Sequence, residues 1–332
     1  MQDQRIELPT GISMSYVEAG DPSGQAVLML HGYTDTRRSF QGTIEHLVRL
    51  RPDLRVIAPD LRGHGRTSMP SMHAYRHAPE RAFAMADFAA DLIALLDAKG
   101  VRRAHIVGHS LGSFIAQEIA LTSPSRVGQM VLIGSSAKGA GNPVIEQMIL
   151  GQLVEGLWGK ALEARGLTFP DDAYLLTPRD VDPDVESWLV QNWLGEPLAS
   201  PELLAQIAAD CARIPLGTWV GVARAALKLD NRERLKALKT PALVLWAIQD
   251  AICPGSPDQE TLLAALAAAS ERTGLHYAFQ CFGARPLPPS GMTEDDLGHN
   301  FHWAIPEQVA RSVAGFLERK TVRFTSSSAR SL

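Results

Sequence analysis

The sequence predicts an α/β protein: a doubly wound, mostly parallel sheet with an inserted helical cap. Three observations lead there. Short apolar runs ending in turn residues alternate with helical patterns through the first part of the chain. The alternation stops between about 138 and 236, where helix-like segments and four tryptophans replace any buried strand. It then resumes as apolar run, helix, apolar run, helix. A chain that leaves its sheet for so long and returns to it carries the excursion as a layer over the strand ends. The expected organisation is therefore core at 1–137, helical cap at 138–236, core again at 237–320, and a polar, disordered tail at 321–332.

Taken in order, "RIELP" and "ISMSYVEAG" flank Thr10-Gly11 and predict a hairpin. The runs "AVLMLHG" (26–32), "RVIAPD" (55–60), "AHIVGHS" (104–110) and "QMVLIGS" (129–135) read as strands buried on both faces. Between them, 82–99 places Met85, Phe88, Leu92 and Leu95 on one helical stripe that Gly100 closes. Residues 112–124 predict another helix. After the insertion come a strand "ALVLWAIQD" (242–250), a helix at 259–273, a strand "HYAFQCF" (276–282) and a closing helix at 306–320. Trp158, Trp188, Trp193 and Trp219 are expected to form the core of the cap rather than to touch substrate.

Composition excludes several classes. With 332 residues, 45% of them hydrophobic and 20% charged, the chain can bury a large core in two packing units. A formal net charge of −4 and no block of like charges leave no basic field for nucleic acid. The start "MQDQRIELPTG" lacks a cationic segment followed by an apolar run, and no stretch approaches the roughly 18 apolar residues of a membrane span. A soluble cytoplasmic protein is expected. Cys211, Cys253 and Cys281 have no CxxC spacing and no histidine cluster nearby, so they read as buried free thiols, with no metal implied.

The chemistry centres on Gly108-His109-Ser110-Leu111-Gly112, a G-x-S-x-G placed between a strand and a helix. The turn there is so tight that side chains two residues either side of the serine would collide, and glycine removes those Cβ atoms. Ser110 becomes a nucleophile candidate, and the Leu111 N–H, at a helix N-terminus, a candidate donor to a developing oxyanion. The loop after the 26–32 strand, "HGYTD", offers the Tyr33 N–H as the second donor. His31, and His64 within "DLRGHGRTS", read as structural hydrogen-bonders. For the base, His299 in "DDLGHNFHW" sits in a turn after the last strand, with His302 as the alternative. For the orienting acid, Asp250 closes the 242–250 strand, with Asp295 and Asp296 as alternatives. The chain order is Ser, Asp, His.

With these residues in that order, the sequence resembles the α/β-hydrolase superfamily from about residue 6 to 320. The motifs "HGYTD", "DLRGHGRTS", "GHSLG", "WAIQDAICP" and "GHNFHW" carry the resemblance. Two departures stand out: Ala247 where many relatives carry glycine, and the long loop 283–297 before His299. The resemblance implies a cap-bearing, cofactor-free serine hydrolase of the esterase or lactonase type. Its substrate would be a largely apolar small-molecule ester or lactone. A carbon–carbon bond hydrolase of ring-cleavage products is the alternative, and a hydrolase-fold ligand receptor a third reading. Oligomeric state has no signal in the sequence.

Overall fold

The computed structural model describes residues 1–76, 78–196, 198–283 and 297–317. The expected tail at 321–332, residues 284–296 of the long loop, and Asp295 and Asp296 lie outside them. Among the described residues eight strands form one sheet: β1 (Asp3–Glu7), β2 (Ser13–Gly20), β3 (Gln25–Leu30), β4 (Leu54–Pro59), β5 (Ala104–His109), β6 (Val127–Ile133), β7 (Ala242–Ala247) and β8 (Tyr277–Phe282). Their spatial order is β1-β2-β4-β3-β5-β6-β7-β8. The first two pair antiparallel, as the expected hairpin, and every pair from β4 to β8 is parallel.

The apolar runs become central strands because both of their faces are covered. Successive residues of β3 alternate between two cores: Ala26, Leu28 and Leu30 face the layer containing the helices Met85–Ala98, Leu111–Thr122 and Glu260–Thr273. Val27 and Met29 face the layer containing Gln41–Leu50 and Pro306–Leu317. The period of two along each strand thus builds a three-layer sandwich.

The helix expected from residue 82 begins at Met85. Residues Pro79–Ala82 form a separate turn, and the buried Arg62 guanidinium takes the Ala82 carbonyl at 2.8 Å, an acceptor the helix would otherwise use. Arg62 also grips Asp91 through two hydrogen bonds of 2.7 and 2.8 Å, and Asp60 accepts the Arg37 and Arg66 amides at 3.0 Å. The "DLRGHGRTS" turn is a polar brace.

Between β6 and β7 the chain is helical, from Val144 to Leu235 among the described residues, with a single antiparallel bridge between Lys138 and Asp230 near its two ends. Its helices pack a third core of Ile149, Val154, Leu189, Ile207 and Trp219, which Trp303 joins. Trp158 and Trp219 are fully buried there, their rings edge to face at 5.1 Å. Trp188 and Trp193 are only half-buried. Cys211 and Cys253 are buried free thiols as expected, whereas Cys281 is half-buried. Among the described residues no helix is long and apolar enough to cross a membrane.

Candidate active site

Ser110 occupies the turn between β5 and the helix Leu111–Thr122 with φ 49° and ψ −115°, a conformation that side-chain-bearing residues avoid. Its surroundings enforce this. A Cβ on Gly108 would stand 2.3 Å from the Gly112 carbonyl oxygen, and one on Gly112 would stand 2.1 Å from that of Leu30. The Ser110 amide donates to the Ile133 carbonyl at 2.9 Å, and Ser113 Oγ donates to the Ser110 carbonyl at 2.6 Å. With its backbone tied down on both sides, the serine is held at the C-terminal edge of the sheet.

Leu111 is the first residue of its helix, so its N–H has no intrahelical acceptor and lies at the positive end of the helix dipole. Across from it runs the loop after β3. A Cβ on Gly32 would lie 2.8 Å from His109 Nδ1 and 3.3 Å from Ser110 Cβ, so only glycine allows this loop so near the serine. Among the described residues the following Tyr33 N–H donates no hydrogen bond. The loop is held from above: Tyr33 Oη donates to the Trp219 carbonyl at 2.6 Å, and Trp193 Nε1 donates to Thr34 Oγ1 at 2.8 Å. Thr34 itself has φ 62°.

Asp250 lies just past the end of β7, 2% exposed. Its Oδ1 accepts the amides of Ile252 at 3.0 Å and Cys253 at 2.8 Å, and both of its oxygens lie 2.9 Å from His299 Nδ1. A carboxylate only accepts, so Nδ1 carries the proton and His299 Nε2 presents its lone pair. Nε2 has no hydrogen-bond partner among the described residues. His302, the alternative base, is fully buried against Phe40 and His109, and burial holds its imidazole at a pKa of about 3.

Ser110 and His299 line one small pocket of about 30 Å³ with Thr34, Trp193, Ile207 and Trp303. A second pocket of about 40 Å³ continues from Ser110 along Leu111, Phe114, Ile145, Val222 and Ala226. Tyr33, Ser110, Ile145 and Ile252 line both, so the serine stands where two mainly apolar lobes meet under the helical insertion. Trp193 therefore faces the pocket, where the sequence suggested only cap core. A larger cleft of about 650 Å³ lies elsewhere, lined by Arg37, Asp60, Arg66 and Asp210. Its charged side chains already pair with one another, Arg37 with Asp60 and Arg66 with Asp3.

Two further histidines, His31 and His64, brace the loops beside the site. His31 donates from Nδ1 to the Gly32 carbonyl at 2.8 Å and accepts the Leu61 amide on Nε2 at 2.9 Å, burial holding it well below the usual imidazole range. His64, edge-on to it at 5.1 Å, is lowered by burial to about 4.

Two trios among the described residues have the side chains to hold a metal ion, with ligating atoms within 4.8 Å of one another: Asp250, Cys253 and His299, and Asp35, His109 and His302. In the first, Asp250 and His299 are engaged with each other through the hydrogen bonds just given. The second is buried, with Asp35 and His109 lining the Ser110 pocket; His109 Nε2 donates to the His299 carbonyl at 3.1 Å and burial raises Asp35 to about 8. Sequence reasoning passed over Asp35, His109 and also Glu196, whose buried carboxylate accepts the Gly298 amide at 3.1 Å.

A family model described as "alpha/beta hydrolase fold" matches residues 25–254. A protein of Variovorax paradoxus is 34% identical over 125 residues, 38% of this chain but only 43% of its own length. The 2-hydroxy-6-oxo-6-phenylhexa-2,4-dienoate hydrolase of Comamonas testosteroni is 27% identical over 244 residues, 72% of this chain and 75% of that one. The crystal structure of the enol-lactonase from Burkholderia xenovorans superposes with a TM-score of 0.66, at 17% identity, over 95% of this chain and all of the other.

Proposed function

This chain belongs to the alpha/beta hydrolase family, and from that premise we propose that it is a serine hydrolase cleaving a carboxylic ester or lactone through an acyl-enzyme. One observation carries the reading: Ser110, in a strained turn, shares a pocket with a histidine whose Nδ1–H is taken up by a buried carboxylate and whose Nε2 is free. That arrangement has the logic of a catalytic triad.

In the proposed reaction His299 Nε2 takes the Ser110 proton as Oγ bonds to the substrate carbonyl carbon. Asp250 holds the ring in the required tautomer and stabilises the imidazolium. The amides of Tyr33 and Leu111 receive the oxyanion. Collapse expels the alcohol, protonated by His299. Water, deprotonated by the same ring, then releases the acid and restores Ser110. Every proton is returned, so the cycle consumes substrate and water alone.

The two apolar lobes support a largely apolar substrate, one lobe for each side of the scissile bond. The insertion, residues 138–236, acts in this reading as a cap. Lobes of about 30 and 40 Å³ hold only a few water-sized groups, so substrate entry requires the cap to shift. Hydrolysis of a carbon–carbon bond is the second reading, favoured by the similarity to the dienoate hydrolase of Comamonas testosteroni.

The test is turnover of a panel of p-nitrophenyl esters and lactones by the wild type and by Ser110→Ala. The expected result is an acyl-enzyme burst in the wild type and loss of turnover in the variant to a residue of about 10³ to 10⁴ over water, as in other triads. An intact enzyme inert on every ester and lactone but active on ring-cleavage dienes would favour the second reading.

A further inference from the structure

One short stretch of the insertion, residues 193–196, touches both halves of the site. Trp193 Nε1 donates to Thr34 Oγ1 at 2.8 Å, beside the Tyr33 amide. The Leu194 carbonyl accepts from Asn300 Nδ2 at 2.9 Å. Glu196 accepts the Gly298 amide at 3.1 Å on Oε2 and 3.4 Å on Oε1. Gly298 and Asn300 are the residues on either side of His299. A Cβ on Gly298 would stand 3.1 Å from the Gly195 carbonyl oxygen and 3.3 Å from Glu196 Oε2, so the two segments meet at backbone contact distance.

Resting on the reading of His299 as the catalytic base, we propose that Glu196 is a positioning residue: its carboxyl group holds the Gly298 amide on one side of His299 while the neighbouring Leu194 carbonyl holds the Asn300 side chain on the other, and so fixes where Nε2 points. A buried carboxyl with no cation beside it is costly. Glu196 is 2% exposed and no lysine or arginine pairs with it among the described residues. The Gly298 amide favours its charged form but does not outweigh burial, and Asp250 is the charged group that opposes it.

The clamp has a direction in pH. Burial pushes the Glu196 carboxyl up to about 8. Below that, a neutral carboxyl offers its carbonyl oxygen to the Gly298 amide; above it, the carboxylate binds that amide more strongly and sets a negative charge near the imidazolium formed in the reaction. Both effects raise kcat as pH passes through about 8.

The experiment compares wild type, Glu196→Ala and Glu196→Gln for kcat and KM on a hydrolysed ester from pH 6 to about 9, and for the rate at which a fluorophosphonate labels Ser110. Glu196→Ala is expected to lose roughly 10- to 100-fold in kcat and in labelling rate with KM little changed, the scale of a misplaced catalytic group. Glu196→Gln, which keeps an acceptor oxygen, is expected to recover most of the loss at pH 7 and to lack the rise near pH 8. Equal losses in both variants without a change in pH profile would overturn the clamp, as would an unchanged kcat in Glu196→Ala. If Glu196→Ala does not fold, Glu196→Gln alone decides through the missing rise. A wild type that neither hydrolyses esters nor takes the label would instead overturn the serine-hydrolase reading, and the clamp with it.

Discussion

His299 Nδ1 lies 2.9 Å from both carboxylate oxygens of Asp250, although 49 residues and a helix separate the two in sequence. The acid is itself fixed by the amides of Ile252 and Cys253. Asp250 therefore cannot turn away without giving up backbone hydrogen bonds, and the ring cannot turn without leaving Asp250. Orientation of the proposed base is built into the ends of two neighbouring segments.

Asp250→Asn tests this relation. An amide preserves the shape but can present its NH₂ to Nδ1, which favours the tautomer with the proton on Nε2 and removes the base. The expected loss is on the order of 10⁴ in kcat, by analogy with the same substitution in a serine protease. Thermal stability should change little, since the Oδ1 acceptor of the two amides is kept. A loss under about tenfold in kcat/KM would argue against Asp250 as the orienting acid, because one 1.4 kcal/mol contact is all it would represent.

Much of this was legible in the sequence because it is local. The period-two apolar runs, the turn glycines and a serine between two of them follow from sterics within a few residues of chain. Asp250 and His299 were legible because each sits at a strand end or in a turn. Glu196, Trp193 and Thr34 were not. Their meaning depends on contacts across 102 and 159 residues, and on a positive φ at a threonine that no local signal announces. Trp193 read as cap core by its type alone; its place on the pocket depends on how the insertion sits over β3 and β5.

The glycines give a paired prediction. Gly112→Ala places a Cβ 2.1 Å from the Leu30 carbonyl oxygen, a backbone atom of a central strand that has little room to move. A loss of about 1–3 kcal/mol or more is expected, with turnover falling as the serine turn deforms. Gly315→Ala, in the exposed face of the closing helix with nothing within 4 Å, is expected to stabilise by about 0.5–1 kcal/mol. Chemical denaturation of both variants checks the contrast. Equal stabilities would mean that the backbone around Ser110 yields more readily than its packing implies.

Tyr33→Phe separates the side chain from the amide. The proposed oxyanion donor is the backbone N–H, whereas the hydroxyl donates to the Trp219 carbonyl at 2.6 Å and ties the loop to the insertion. Removing it should cost about 0.5–1.5 kcal/mol of stability and leave kcat within a few-fold. A fall of about 10² or more in kcat at unchanged stability would assign the hydroxyl a direct part in the chemistry.

Stability against pH follows from the buried titratable groups. Asp35 and Glu196 are both raised by burial to about 8, from ordinary values of 3.8 and 4.5. The folded state thus binds their protons where the unfolded state has lost them, and stability falls as pH rises from about 4 to about 8. His64 and His105, lowered by burial to about 4, and His302, to about 3, work the other way. They remain neutral when folded and charge when unfolded, so their contribution grows with pH only up to the ordinary imidazole value of 6.5. Between pH 6.5 and 8 the carboxyls act unopposed by these histidines, each contributing at most about 1.4 kcal/mol per pH unit. The melting temperature is expected to decline across that window. In Asp35→Asn, whose amide lies beside the nitrogens of His109 and His302, the decline should be shallower by roughly half, one of the two groups being gone. A wild-type profile that is flat or rises from pH 6.5 to 8 would show that these carboxyls ionise in the fold without the penalty their burial implies, and would overturn the prediction.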